Sequence, residues 1–462
     1  MHGCAKVLPR ATTLSNKAIP MHTLPYDGLA LAALDEQLLQ PGVKGLPILE
    51  PLRQGAIGVQ GWNVLHADTS FPVAILKTAA LRHNLDWMRR FCERHGVTLA
   101  PHGKTTMCPQ LFGAQLANGA WGITLANAMQ IQVAHRFGVR RVLLANQLVA
   151  PSDIRAVLSL LRGDPDFECI VLADSLAGVA RLAEAVALHP LPRPLPVLVE
   201  LGLAGKRAGC RTPEAAITVA RAIAGAPGLD LAGFEGYEGL LVTDDRAADL
   251  AAVDAFLAQL VELVGSADDE GLFVGAEILL SAGGSSYFDL VARGLGAVSG
   301  LSRPVRAVLR SGCYLTSDHG TYERMIGELN AREAEHDRQH DGLLPALEVW
   351  SMVQSRPEPT LAILTMGKRD ASYDADLPIP LSYHRPGPGA PHALPPGCSI
   401  FKLNDQHAYL RLPEGHPLCT ELAVGDLVGC GISHPCTTFD KWPLLLGVDD
   451  DYHVRGAYNT LF

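Results

Sequence analysis

A chain of 462 residues that is 48% hydrophobic and 19% charged is too apolar to be disordered and too long for one small core, so two domains are expected. The net charge of −10, with no cluster of five or more Lys/Arg, lacks the footprint of a nucleic-acid binder, and no nucleic-acid partner is expected. The N-terminal stretch carries no continuous apolar segment of the export type, no later run approaches the ~20 apolar residues of a membrane span, and the ten cysteines form no CxxC pair. These features read as a cytoplasmic protein with reduced thiols and no membrane partner.

Residues 1–70 show little periodicity and read as an N-terminal extension that packs on both domains. From about residue 97 to 310, short β-branched or Leu-rich runs alternate with longer stretches of helical period. Eight runs qualify as strands: VTLAPHG from Val97, WGITLAN from Trp121, RVLLANQ from Arg141, ECIVLAD from Glu168, PVLVELG from Pro196, LAGFEGY from Leu231, EILLSAG from Glu277 and RAVLRSG from Arg306. Helical stretches such as 175–188 and 213–226 lie between them, with Asp174 and Thr212 placed as N-caps. A doubly wound sheet gives a similar one-dimensional pattern, but eight strands favour an α/β fold of the (β/α)8 TIM type over residues 71–325.

After Tyr322 a charged stretch from Glu328 to Asp341 gives way to strand-like runs without helices between them, LEVWSMV, LAILTMG, HAYLRL, DLVGCGI, LLLGV and YHVRGAY. Residues 326–462 therefore read as a C-terminal β-domain, with the Pro/Gly-rich segment from His384 as a surface loop.

Lys104, in PHGKTT, follows the first strand and so falls at the catalytic face of a barrel. Set among Pro101, His102 and Gly103, it could be partly desolvated and form a Schiff base, although spacing alone would also suit an ordinary loop lysine. The seventh strand ends in SAGGSSYFD, where Gly283, Gly284, Ser285 and Ser286 lead towards a helix as a phosphate cradle would. Phosphate sites of barrels lie in the loops after strands seven and eight, and with a strand-end lysine this points to pyridoxal phosphate. Arg207, after the fifth strand, could face the pyridine nitrogen and blunt the ring as an electron sink; Tyr237, after the sixth, is a packing residue or a cofactor contact. His434 and Cys436, two residues apart in GISHPCTTF, read as sharing one side of a strand, where imidazole and thiolate could hold zinc.

PHGKTT, the strand-five VEL with its RxG, FEGYEG, SAGGSSYFD, SGCYLTSDHGTY and SHPC together resemble the D-serine dehydratase and D-threonine aldolase family, over residues 70 to 462. These are fold-type III pyridoxal-phosphate enzymes related to alanine racemase, and HPCTTFDKW looks closest to bacterial amino-acid (D-serine) deaminases. The resemblance implies Lys104 as the Schiff-base lysine, Arg207 as the partner of the pyridine nitrogen and Gly283 to Ser286 as the phosphate loop. It also implies His102, Ser281, Tyr237 and Tyr314 as cofactor-pocket residues and His434 with Cys436 as ligands of zinc or another divalent ion. The family's acidic and glycine positions after VE are Gly202 and Ala204 here, and its Glu-His-Gly is Gln406, His407 and Ala408, which changes the substrate pocket.

The expected activity is elimination from a small D-β-hydroxy amino acid such as D-serine, with Lys104 as general base and zinc assisting departure of the hydroxyl. The family pattern assigns His-x-Asp to aldolases and His-x-Cys to dehydratases, so Cys436 favours elimination over retro-aldol cleavage to glycine and an aldehyde. An amino-acid racemase is a third reading, and a non-catalytic pyridoxal-phosphate carrier, which would lack the second domain, a fourth. A homodimer is expected from the resemblance.

Overall fold

The computed structural model describes residues 24, 29–243, 245–284, 287–332 and 342–462. All eight runs read as barrel strands form strands: β1 Thr98–Leu99, β2 Ile123–Leu125, β3 Arg141–Gln147, β4 Glu168–Ala173, β5 Leu195–Leu201, β6 Leu229–Gly236, β7 Ile278–Ala282 and β8 Val305–Leu309. They follow one another round the sheet in chain order, every neighbouring pair parallel, and β8 returns to β1 through Val308 with Thr98 and Leu309 with Leu99. A single parallel bridge between His102 and Thr124 joins β1 to β2 and closes the ring. A doubly wound sheet would reverse its order at a switch point, so this is a (β/α)8 barrel.

Strands covered on both faces read as continuous apolar runs, and β2 and β7 are buried at every residue. The covering helices turn one stripe inward. In Pro151–Gly163 that stripe is Ile154, Val157, Leu158 and Leu161, each contributing roughly 1.5–3 kcal/mol on leaving water. Thr212 caps Pro213–Ala224 by accepting from the Ala215 amide, as its sequence position indicated. At Leu176–Leu188 the cap is Ser175 and not Asp174, because a cap must directly precede the first helical residue; Asp174 instead accepts from the Gly209 amide. One helix, Arg246–Asp269, has 24 residues and is long and apolar enough to cross a membrane by length and composition, a feature the sequence reading passed over. Its Val253, Phe256, Leu257, Leu260 and Val264 are buried in the barrel's core cluster.

The C-terminal domain is a largely antiparallel sheet organised on the long strand Leu347–Glu358, which pairs with Leu361–Leu364, Leu427–Gly431 and Val73–Lys77. Val73–Lys77 precedes the barrel in sequence, yet it pairs antiparallel with that long strand and parallel with Leu444–Val448. The boundary read at residue 71 thus falls just ahead of a strand of the second sheet, because the apolar run VAILK finds its hydrogen-bond partners in the C-terminal part of the chain. The Pro/Gly-rich segment from His384 turns back as a short hairpin, Ser382 and Tyr383 pairing with Ala393 and His392. Of the N-terminal segment, Leu46, Ile57, Val64 and Leu65 pack with Trp350 and Leu446 of this sheet, while Leu31 and Leu34 pack on Phe137 of the barrel.

Candidate active site

The carboxyl ends of the barrel strands and the C-terminal domain enclose a cavity of ≈ 390 Å³ whose wall includes His102, Lys104, Arg207, Tyr237, His434 and Cys436. Lys104 occupies the short 3-10 turn Gly103–Thr105 that follows β1. The turn is pressed against its neighbours: a Cβ on Gly103 would lie 2.6 Å from Ile123 Cγ2 and 2.8 Å from Phe112 Cε1. The loop after β8 comes equally close, since a Cβ on Gly312 would lie 2.7 Å from the His102 carbonyl oxygen. Gly312 thus lets the β8 loop close on the β1 loop beside the lysine, while Gly103 seats the lysine's turn on Ile123 and Phe112.

Burial, with the nearby cations Lys104, Arg310 and Arg207, holds the His102 imidazole well below its usual basicity, so it is neutral at physiological pH. Its Nδ1 is buried without a hydrogen-bond partner among the described residues. The Arg207 guanidinium lies 4.5 Å from the centre of the Tyr237 ring, an attractive cation–π distance that keeps both side chains at the wall.

Several wall residues had gone unremarked in the sequence. Glu200, next to last in β5, accepts from the Gln147 side chain; burial and then the neighbouring Glu235 push its carboxyl up to about 8. Arg310 directly follows β8, forms a buried ion pair with Glu235 and donates to the Gly236 carbonyl at 2.8 Å. Asn146, Ser311 and Cys313 also line the cavity. All sit at or just past carboxyl ends of barrel strands, where the barrel rule would have flagged them.

Other expected site residues stand apart from the cavity wall. Ser281 lies inside β7, fully buried, and donates to the Val308 carbonyl at 2.9 Å, so it holds two strands together away from the cavity wall. Tyr314 is buried in the core with its hydroxyl accepting from Gln115 at 3.3 Å, and it too is not a wall residue. Gly283 reaches the wall; Gly284 packs behind it, where a Cβ would lie 1.5 Å from Glu238 Oε1. Ser285 and Ser286 lie outside the described residues.

A phosphate requires positive donors, and Arg310 packs against the glycine that follows β7 at the cavity wall. A Cβ on Gly283 would fall 2.4 Å from Arg310 Cβ and 2.7 Å from Arg310 Nε, and that Nε is buried without a partner among the described residues. An unsatisfied buried guanidinium donor beside a glycine turn, in the same cavity as a strand-end lysine, fits pyridoxal phosphate.

His434 and Cys436 are not two positions of one strand. His434 lies in the loop after Leu427–Gly431, and Cys436 opens the short helix Cys436–Phe439. Both still face the cavity. His434 Nδ1 meets Asp374 Oδ2 at 2.5 Å, while Cys436 Sγ lies 3.4 Å from Thr105 Oγ1 and 3.6 Å from Cys313 Sγ. Hydrogen bonding to Cys436, and then the Asp374 carboxylate, raise the imidazole to about 9. Contacts with Cys313 and then His434 lower the Cys436 thiol. Imidazole and thiolate are donors suited to zinc.

The alanine racemase N-terminal domain model matches residues 76–286 and the serine dehydratase domain model matches residues 346–448. Both matches make the chain similar to the fold-type III pyridoxal-phosphate enzymes. Among its relatives is the D-threonine aldolase of Arthrobacter sp., 25% identical over 81% of this chain and 87% of that one. The crystal structure of D-threonine aldolase from Filomicrobium marinum has the same fold, with a TM-score of 0.71 at 24% identity over 87% of this chain and 97% of that one. The D-threo-3-hydroxyaspartate dehydratase of Delftia sp. superposes with a TM-score of 0.68 at 20% identity, over 86% of this chain and 99% of that one. These relatives are an aldolase and a dehydratase by name, both lyases, and the alanine racemase-like fold supports pyridoxal phosphate as the cofactor.

Proposed function

We propose that the enzyme catalyses elimination from a small D-β-hydroxy amino acid, with D-serine as the type substrate, to give a keto acid and ammonia. The observation that carries this reading is that Lys104 and the His434/Cys436 pair line one cavity of ≈ 390 Å³, so one small substrate can meet both. Lys104, Gly283, Arg310, Tyr237 and Arg207 would hold the cofactor, and His434 with Cys436 a zinc ion. Pyridoxal phosphate, when bound, supplies an electron sink for the bond broken at the α-carbon. Zinc would supply Lewis acidity at the β-oxygen.

The chain's own residues do the rest. Lys104 Nζ, as the free amine, takes the α-proton as general base. A neutral His102 can hydrogen-bond in a wall already carrying Lys104, Arg207 and Arg310 without adding a fourth positive charge. Glu200, protonated for the most part at neutral pH, offers a hydrogen-bond donor where a carboxylate would repel the substrate's own carboxylate. The hydroxyl leaves as water with the proton that Lys104 Nζ took from the α-carbon, and hydrolysis of the remaining enamine by a second water gives the keto acid and ammonia.

Retro-aldol cleavage to glycine and an aldehyde is the second reading, supported by the extensive likeness to the Arthrobacter aldolase. Cys436 at the metal pair favours elimination, since the resemblance associates His-x-Asp with aldolases. Incubation with D-serine, D-threonine and D-3-hydroxyaspartate, assaying keto acid, glycine and L-enantiomer separately, tests both readings. Keto acid should dominate; glycine as the main product would overturn elimination, and the L-enantiomer would point to a racemase. We also propose a homodimer, to be measured by sedimentation.

A further inference from the structure

We propose that Cys313 is a third protein ligand of the metal, giving a His434–Cys436–Cys313 set with one coordination position left for the substrate oxygen. This rests on the metal reading above and extends it to a residue of the barrel. Cys313 opens the 3-10 turn Cys313–Leu315 after β8, whereas Cys436 comes from the C-terminal domain. Although 123 residues apart in sequence, their sulfurs are 3.6 Å apart.

That separation has a chemical meaning. Two thiolates on one tetrahedral zinc, each about 2.3 Å from it, stand roughly 3.8 Å apart. A disulfide would need about 2.05 Å. Both sulfurs face the cavity that holds Lys104, and both approach Thr105 Oγ1, at 3.4 Å from Cys436 and 3.9 Å from Cys313.

The count of donors points the same way. A lone His–Cys pair is one ligand short of a catalytic zinc site, which takes three protein groups and an open position. His434 Nδ1 is engaged by Asp374 at 2.5 Å, leaving Nε2 for the ion in the carboxylate–histidine–metal arrangement. Among the described residues no three such donors already enclose one point. Cys436 is the shared neighbour of His434 and Cys313, and the ion closes the set by drawing the side chains round it. The metal would then tie the barrel to the C-terminal domain across the mouth of the site.

The test is spectroscopic. In the cofactor-loaded enzyme with cobalt(II) in place of the native ion, the near-ultraviolet thiolate-to-cobalt band should have two-thiolate intensity. It should fall by about half in Cys313→Ser and again in Cys436→Ser, with cobalt affinity at least ~10-fold weaker in Cys313→Ser. X-ray absorption of the wild-type zinc enzyme needs no variant and should count two sulfurs per zinc. One sulfur per zinc, or a Cys313→Ser spectrum and affinity equal to wild type, would overturn the proposal. Wild-type enzyme that binds pyridoxal phosphate but no cobalt would overturn the underlying metal reading as well, which keeps the two failures distinguishable. A Cys313–Cys436 disulfide found by peptide mapping of anaerobically prepared enzyme would also exclude ligation.

Discussion

Arg310 and Glu235 form an ion pair in which each side chain is only 2% exposed, and it ties the end of β6 to the loop after β8 at the cavity wall. A charge left without its partner there is costly. Glu235→Ala should destabilise the protein by about 3–5 kcal/mol in chemical denaturation. The same substitution should alter cofactor binding, because Arg310 also faces the Gly283 turn. Arg310→Met should weaken pyridoxal phosphate at least ~10-fold, as a guanidinium–phosphate contact predicts, measured by cofactor fluorescence titration.

Lys104 is expected to carry the cofactor. Borohydride reduction of the holoenzyme followed by peptide mapping should place the pyridoxyl group on Lys104, and Lys104→Ala should abolish both the label and turnover. A label on another lysine would remove the assignment.

Glu238 supplies the pH prediction. It is fully buried, both carboxylate oxygens lack partners among the described residues, and burial pushes its carboxyl up to about 7 from 4.5. The folded state therefore holds this proton more tightly than the unfolded chain does. Its contribution is fully present below pH 4.5 and is lost as pH rises through about 7, amounting to about 3 kcal/mol at most. Glu235 and Arg310 face it as well, so the slope should be read by difference. Thermal unfolding from pH 5 to 8 should decline more steeply in wild type than in Glu238→Gln; equal slopes would mean that Glu238 is already ionised when folded.

The metal pair should separate binding from chemistry. Chelation or Cys436→Ala should abolish keto-acid formation while the cofactor's visible absorbance persists, because the cofactor is held by the barrel. Asp374→Ala should weaken metal affinity about 10–100-fold by releasing His434, with cofactor affinity unchanged. Cys436→Asp should retain metal and shift products towards glycine. Full-rate deamination by a metal-free enzyme would refute the whole scheme.

Much of this molecule was legible in one dimension. Parallel barrel strands are buried on both faces, so runs such as RVLLANQ and ECIVLAD announce themselves, and Lys104 declares its face by following one of them. Thr212 was readable as a cap because capping is a bond to the third residue along. What remained hidden depends on partners distant in the chain. Val73–Lys77 is an apolar run like the others, and only its pairing with Leu347–Glu358 assigns it to the second sheet. Ser281 and Tyr314 lie within or beside site motifs, yet strand pairing and core packing turn them away from the cavity. The closeness of Cys313 to Cys436, of Glu235 to Arg310 and of Asp374 to His434 was set by how the barrel and the C-terminal sheet dock. Local periodicity records which side of an element is buried; which residues meet there is decided by tertiary packing, and the chemistry of this site lies in those meetings.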